Sequence, residues 1–101
     1  MTNATDQPGD AAFRRSDLKG STIEATYAGA LSFMRRKYTR DLAGVDIAVT
    51  GIPFDQAVTN RPGTRFGPQG VRAASAHFAW GPYWPWNFDP FDTLNVVDYG
   101  D

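Results

Sequence analysis

The chain has 101 residues, room for one small domain but not for the large single domains usual among α/β enzymes. Hydrophobic residues make up 42% and aromatic residues 14%, which suits a segment that folds and excludes a wholly disordered one. Ten basic residues against eleven acidic ones leave a net charge of -1, and cysteine is absent. That balance gives no electrostatic case for nucleic acid or an anionic membrane as a partner, and disulfides and thiolate zinc sites are ruled out. A cytoplasmic location is compatible with the missing cysteines.

Residues 1–20 are rich in small and charged side chains, with Arg14, Arg15, Asp17 and Lys19 close together. They read as a flexible leader, and the first ten lack the apolar core of a signal peptide. No stretch of the chain is long and apolar enough to span a membrane as a helix. From residue 21 onward the chain reads as the folded part. A helix is expected first, capped by Ser21 or Thr22, with Ile23, Tyr27, Ala30, Leu31 and Met34 at helical spacing. Arg35, Arg36, Lys37 and Arg40 then fall near its C-terminus, where cations suit the helix dipole and solvent receives them.

The run VDIAVTGI at 45–52 is short, β-branched and apolar, and Pro53 stops it. Apolarity on both faces suits a central strand of a parallel sheet. A loop at 54–66 carries Asn60, Pro62 and Gly63. Gly67 and Pro68 then open a helix, since proline at the first helical position gives up an N–H that has no partner there anyway. Val71, Ala74, Ser75 and Phe78 form its expected sheet-facing side. The segment 80–92 (WGPYWPWNFDPFD) predicts an irregular, packed loop, and 94–99 (LNVVDY) a second strand. Strand, helix, strand is a βαβ unit with a right-handed crossover. Two strands and one helix leave the sheet's edges and much of one face uncovered, so these residues are expected to be the beginning of a larger domain.

Three motifs bear on function: GIPFD at 51–55, NRPGTRFGP at 60–68 followed by Val71, Arg72 and Ser75, and LNVVDYGD at 94–101. In this order they resemble the start of the arginase/agmatinase superfamily of ureohydrolases. The PWNFD segment at 85–89 resembles the agmatinase branch. The resemblance covers residues 45–101 and implies an α/β fold, the start of a three-layer α/β/α arrangement around a parallel sheet, assembled as a trimer or hexamer. It also implies hydrolysis of a guanidinium group, of agmatine or a related guanidino compound, to urea and an amine. Two Mn²⁺ ions and a bridging hydroxide would carry that chemistry. Oxygen and imidazole ligands suit manganese. The family's ligand motifs, G-G-D-H, D-A-H-x-D and D-x-D-x-x-D-P, do not occur in these 101 residues. No catalytic or metal-binding residue carries over, and the chain alone is expected to be inert.

Each candidate site has a plainer reading beside it. His77, the only histidine, has no carboxylate or second histidine one helical turn away, so a structural or surface role is favoured over a ligand role. Asp55, Asp98 and Asp101 stand at strand ends, where α/β sites gather. Three acids without a histidine favour hydrogen bonding to loop backbone over a metal cluster. Gly63, Gly67 and Pro68 belong to the same structural motifs. The 60–68 loop lacks the Gly-Lys-Ser/Thr ending of a phosphate loop. The resemblance implies that this loop lies near the mouth of the substrate pocket, with Asn60, Arg61 and Arg65 at its rim and arginine repelled from direct contact with a cationic substrate. Tyr83, Trp84, Trp86 and Phe88 favour core or subunit packing over stacking on a ligand. Two rival readings remain from other classes: a non-catalytic module that binds an intact homologue and regulates it, and a nucleic-acid binder with salt-dependent affinity.

Overall fold

The computed structural model describes residues 10–15, 17–20 and 25–101. Helix α1 (Ala11–Arg14) is one turn long, with the Asp10 carboxylate accepting from the Ala12 N–H at its start. Three strands follow: β1 (Lys37–Tyr38), β2 (Ile47–Thr50) and β3 (Val96–Gly100). Helix α2 (Gly67–Ser75) makes the crossover from β2 to β3, and Pro68 lies in its first turn. The sheet order is β1-β3-β2 and both pairings are parallel. This is the parallel α/β arrangement the sequence predicts.

Two details of the sheet differ from expectation. Among the described residues the apolar strand β2 is an edge strand and β3 is central, because Lys37 and Tyr38 pair with Val97 and Asp98 on β3's other side. A strand of two residues has too little pattern to be read from sequence. The register of β2 against β3 slips once, between Val49 and Thr50. Tyr99 is the extra residue, so the irregularity belongs to β3.

The expected helix over 21–34 is not formed in its described part. Residues 21–24 lie outside the described residues, 25–32 follow turns and loop, and only Phe33–Arg35 coil into a single 3₁₀ turn. Met34 and Arg35 both have φ of 51°. The backbone here bonds outward instead of along itself: the Phe33 N–H donates to Asp98 Oδ2 at 2.7 Å and the Met34 N–H to Ser75 Oγ at 2.8 Å. Tertiary acceptors have displaced the helical ladder.

The basic cluster after it is not a solvated helix end either. Arg35 and Arg36 are fully buried. The Arg35 guanidinium donates to the carbonyls of Ala25 and Ala28 and holds that loop. Lys37 donates to the Arg15 carbonyl at 2.8 Å. Arg15 is itself buried, with its guanidinium bonded to the carbonyls of Asp17, Lys19 and Gly20.

The packed centre is small. Val96 and Val97 of β3, Phe91, and Ala12, Ala76 and Ala79 are its buried apolar residues. Of the side of α2 expected to face the sheet, Ser75 is buried, whereas Val71 and Phe78 are exposed. The chain continues from α2 into a 3₁₀ turn at Ala76–Phe78. The aromatic segment is only partly packed. Tyr83 meets Phe91 edge-to-face with centroids 6.3 Å apart, but Trp86 and Phe88 stack on each other at the surface and Trp84 is 93% exposed. Core packing therefore does not account for Trp84, Trp86 or Phe88.

Candidate functional site at the strand ends

All three strands point their C-terminal ends to one side, where the loops of parallel α/β sheets carry function. The centre of that edge is Asp98 on β3, whose side chain is completely buried. Asp98 Oδ2 accepts from Arg72 Nε at 2.7 Å and from the Phe33 N–H, and Oδ1 accepts from Arg72 Nη2 at 3.0 Å and the Gly100 N–H at 2.9 Å. Burial opposes the charge on Asp98. The Arg72 guanidinium, then the Phe33 and Gly100 N–H groups, outweigh burial and hold the carboxyl below its usual range.

Arg72 also reaches Asp101, at 2.8 Å. Its pKa is raised, first by its bond to Asp98 and then by that to Asp101. One guanidinium on α2 thus ties together two carboxylates at the end of β3. The end of β2 is drawn into the same cluster: Thr50 Oγ1 donates to the Gly100 carbonyl at 2.7 Å. Gly51 is there because a side chain would not fit. A Cβ at that position would run into Asp101 Oδ1 and stand 2.7 Å from Pro68 Cβ.

The second cluster organises the loop after β2. Asp55 Oδ2 accepts from the Gly63 N–H at 2.7 Å and the Arg65 N–H at 3.3 Å, and Arg65 Nε lies 3.0 Å from both carboxylate oxygens. The bond from Arg65, and after it the two N–H groups, keep Asp55 below the usual carboxylate range in spite of its covered position. Gly63 has φ of 142°, a conformation open to glycine, and it turns the chain so that its N–H meets Asp55. Asn60 and Arg61 are exposed on the outside of this loop.

The sequence candidates therefore sort into two groups. Asp55 with Gly63 and Arg65 forms one cluster, and Asp98 and Asp101 with Arg72 form the other, next to Pro68 and Gly67 at the start of α2. The Arg72–Asp98 pair has no signature in the sequence. The partners are 26 residues apart, and only the crossover brings them together. His77 is exposed, and among the described residues no group of three or more histidines and carboxylates converges as a metal site would. A groove of about 230 Å³ lies beside β2, lined by Phe33, Val49, Thr50, Gly51, Pro68 and Val71. A second, of about 470 Å³, lies on the other side of Arg72, between Tyr38, Gln69 and Asp101. Neither groove is lined by Asn60, Arg61 or Arg65.

Comparison with known proteins agrees with this arrangement. The sequence model of the arginase family matches residues 45–101. The agmatinase of Chromobacterium violaceum is 63% identical over 93 residues, which are 92% of this chain and 29% of that protein. The agmatinase of Proteus mirabilis is 40% identical over 90 residues, 83% of this chain and 28% of its own length. The crystal structure of a hypothetical agmatinase from Burkholderia thailandensis superposes with a TM-score of 0.87 at 61% identity, across 92% of this chain and 29% of that one. The chain thus spans less than a third of the length of the relatives it matches. Over the part it does span, sequence and backbone agree closely, and the chain belongs to the arginase family.

Proposed function

We propose that this chain serves a ureohydrolase of the agmatinase type, one that hydrolyses the guanidinium group of agmatine or a related guanidino compound to urea and an amine. The observation that supports this reading is the arginase-family match over residues 45–101, which contain both carboxylate clusters, together with 63% identity over 93 residues to the Chromobacterium violaceum agmatinase. Trimeric or hexameric assembly and a cytoplasmic location belong to the same proposal. Among the described residues no helix is long and apolar enough to cross a membrane.

Two Mn²⁺ ions are part of the proposed chemistry, as Lewis acids that make a hydroxide available at neutral pH. The residues of this chain do not fit them. The Asp98 oxygens are already engaged by Arg72 and two backbone N–H groups, those of Asp55 by Arg65 and Gly63, and His77 stands apart from both. A metal site needs several convergent, unengaged ligands. The chain's own contribution is positional: Asp98–Arg72–Asp101 fixes the ends of β2 and β3, and Asp55–Arg65 fixes the loop that follows β2.

The test is a chimera in which the matched residues of the Chromobacterium violaceum agmatinase are replaced by their counterparts from this chain. Manganese-dependent urea release from agmatine is expected of the chimera, and none from the 101-residue chain alone. A folded, manganese-loaded chimera that leaves agmatine and other guanidino compounds untouched would overturn the reading. If the 101-residue chain instead binds the intact relative stably and alters its rate, the regulatory alternative takes its place.

A further inference from the structure

Ser75 follows Arg72 by one helical turn, and it belongs to neither carboxylate cluster. Its side chain is buried and its hydroxyl bonds in two directions. Ser75 Oγ donates to the Arg72 carbonyl at 2.9 Å, the backward bond that serine makes within a helix, and accepts from the Met34 N–H at 2.8 Å. Phe33, next to Met34, donates its N–H to Asp98 Oδ2 at 2.7 Å, and the same oxygen accepts from Arg72 Nε at 2.7 Å. These bonds close a circuit that runs from Ser75 to Arg72, Asp98, Phe33, Met34 and back to Ser75. Bonds linked in this way hold one another's geometry.

The circuit passes through strained backbone. Met34 and Arg35 both have φ of 51°, a left-handed conformation that residues with a Cβ enter at a cost. Strain of this kind persists where surrounding bonds over-determine it, and it gathers at functional sites. Here Ser75 and Asp98 hold the turn from outside, and Ser32 Oγ braces it from within by donating to the Arg36 carbonyl at 2.6 Å. The turn also delivers side chains to the strand ends. Phe33 lines the groove beside β2, Leu31 lines the groove on the other side of Arg72, and Arg72 lines both. Ser75 lines neither.

We propose that Ser75 is a positioning residue for the chemistry at the strand ends: it locks the strained turn against α2 and so sets where Phe33, Leu31 and Arg72 stand between the two grooves. This role rests on the ureohydrolase reading and deepens it. Ser75 acts through Arg72 and the turn, and touches no substrate itself. Its loss leaves every group that meets the substrate in place by kind but not by alignment. Misalignment of that sort lowers kcat more than it raises KM.

The test places three variants in the chimera with the Chromobacterium violaceum agmatinase: Ser75→Ala, Ser75→Thr, and Ser75→Ala combined with Met34→Gly. Ser75→Ala should lower kcat for agmatine about tenfold and change KM by less than about twofold. Ser75→Thr keeps a hydroxyl that can bond the carbonyl one turn back, and should retain most of the wild-type kcat. Met34→Gly removes the cost of the left-handed turn, and should return part of the kcat lost in Ser75→Ala. An unchanged kcat in folded Ser75→Ala overturns the proposal, as does a loss that Met34→Gly does nothing to relieve. Hydrogen exchange in the 101-residue chain gives a reading that needs no catalysis. With Ser75→Ala, the Phe33 N–H and the Arg72 Nε–H, neither of which is donated to Ser75, should exchange about tenfold faster, while the β3 amides stay as protected as in wild type. Faster exchange at Met34 alone would show that the circuit does not act as a unit, and overturns the proposal. A wild-type chimera that releases no urea counts against the proposed function, and the exchange result then decides the role of Ser75.

Discussion

Arg72 on α2 and Asp98 on β3 form a two-point ion pair, Nε to Oδ2 at 2.7 Å and Nη2 to Oδ1 at 3.0 Å, with the carboxylate wholly buried. The pair is the main polar bond between the crossover helix and the strand it leads to. It also carries a third element, because the same carboxylate accepts from the Phe33 N–H and so fixes the segment that precedes β1.

Removing both partners should therefore cost less than the two single removals added together. Arg72→Leu leaves a buried carboxylate with only backbone donors, a loss of about 3 kcal/mol by the usual cost of breaking a buried pair. Asp98→Leu strands Arg72 with Asp101 alone and should cost a similar amount. The double variant should be less destabilised than the two singles added together, by about 1 kcal/mol or more. Urea denaturation of the four proteins checks this, and strict additivity would show that the pair does not couple.

Acid should weaken the fold through the same groups. Asp98 and Asp55 both have folded pKa values below their unfolded ones. In each case the ionised form is favoured by folding, so the contribution is present in full above the unfolded value of about 4 and is lost as the pH falls through the folded value. Unfolding midpoints measured at pH 7, 4 and 3 should drop most steeply at the acid end. Asp98→Asn should be less stable at pH 7 and should lose less on going to pH 3.

What could be read from the sequence was the local part. Strands β2 and β3 announce themselves through β-branched runs, and α2 through Gly67 and Pro68, because those preferences act within a few residues. The stretch 25–35 misleads for the opposite reason. Its apolar spacing is helical, but Asp98 and Ser75, distant in sequence, take up its N–H groups. Burial of Arg35 and Arg36 was equally hidden, since a basic cluster looks the same whether it meets solvent or loop carbonyls. At the site, the motifs contain residues 55, 63, 65, 72, 98 and 101, and the structure ties them into two clusters, but the bonding of Arg72 to Asp98 and Asp101 is set by the crossover and has no signature in local spacing.

The loop after β2 depends on one carboxylate. Asp55 accepts from two loop N–H groups and the Arg65 side chain, so Asp55→Ala frees all three at once. Limited proteolysis with chymotrypsin should then cut faster after the exposed Phe66, while amide protection of β3 stays unchanged. Arg65→Ala keeps the two backbone bonds and should have the smaller effect. Equal cleavage of wild type and Asp55→Ala would show that the loop holds its shape without this carboxylate.

Arg36 gives the contrasting case of a buried charge that the fold does not reward. It is fully buried, and neither terminal nitrogen has a hydrogen-bond partner. Its guanidinium stacks 4.1 Å from the centre of the Phe91 ring, a contact worth about 2 kcal/mol at most. Desolvating a guanidinium costs several kcal/mol, so the balance is unfavourable. Burial first, and the neighbouring Arg15 second, lower its pKa to about 10, against the attraction of Asp89. Between that value and the higher unfolded value the unfolded chain binds more protons, so this residue makes stability rise with pH there. Arg36→Met keeps the length and apolar stem while discarding the charge, and should stabilise the fold by about 1 kcal/mol. Thermal unfolding at pH 7 reads the result. A variant that melts well below wild type would mean that the stack on Phe91 and the attraction to Asp89 together outweigh the two unpartnered nitrogens.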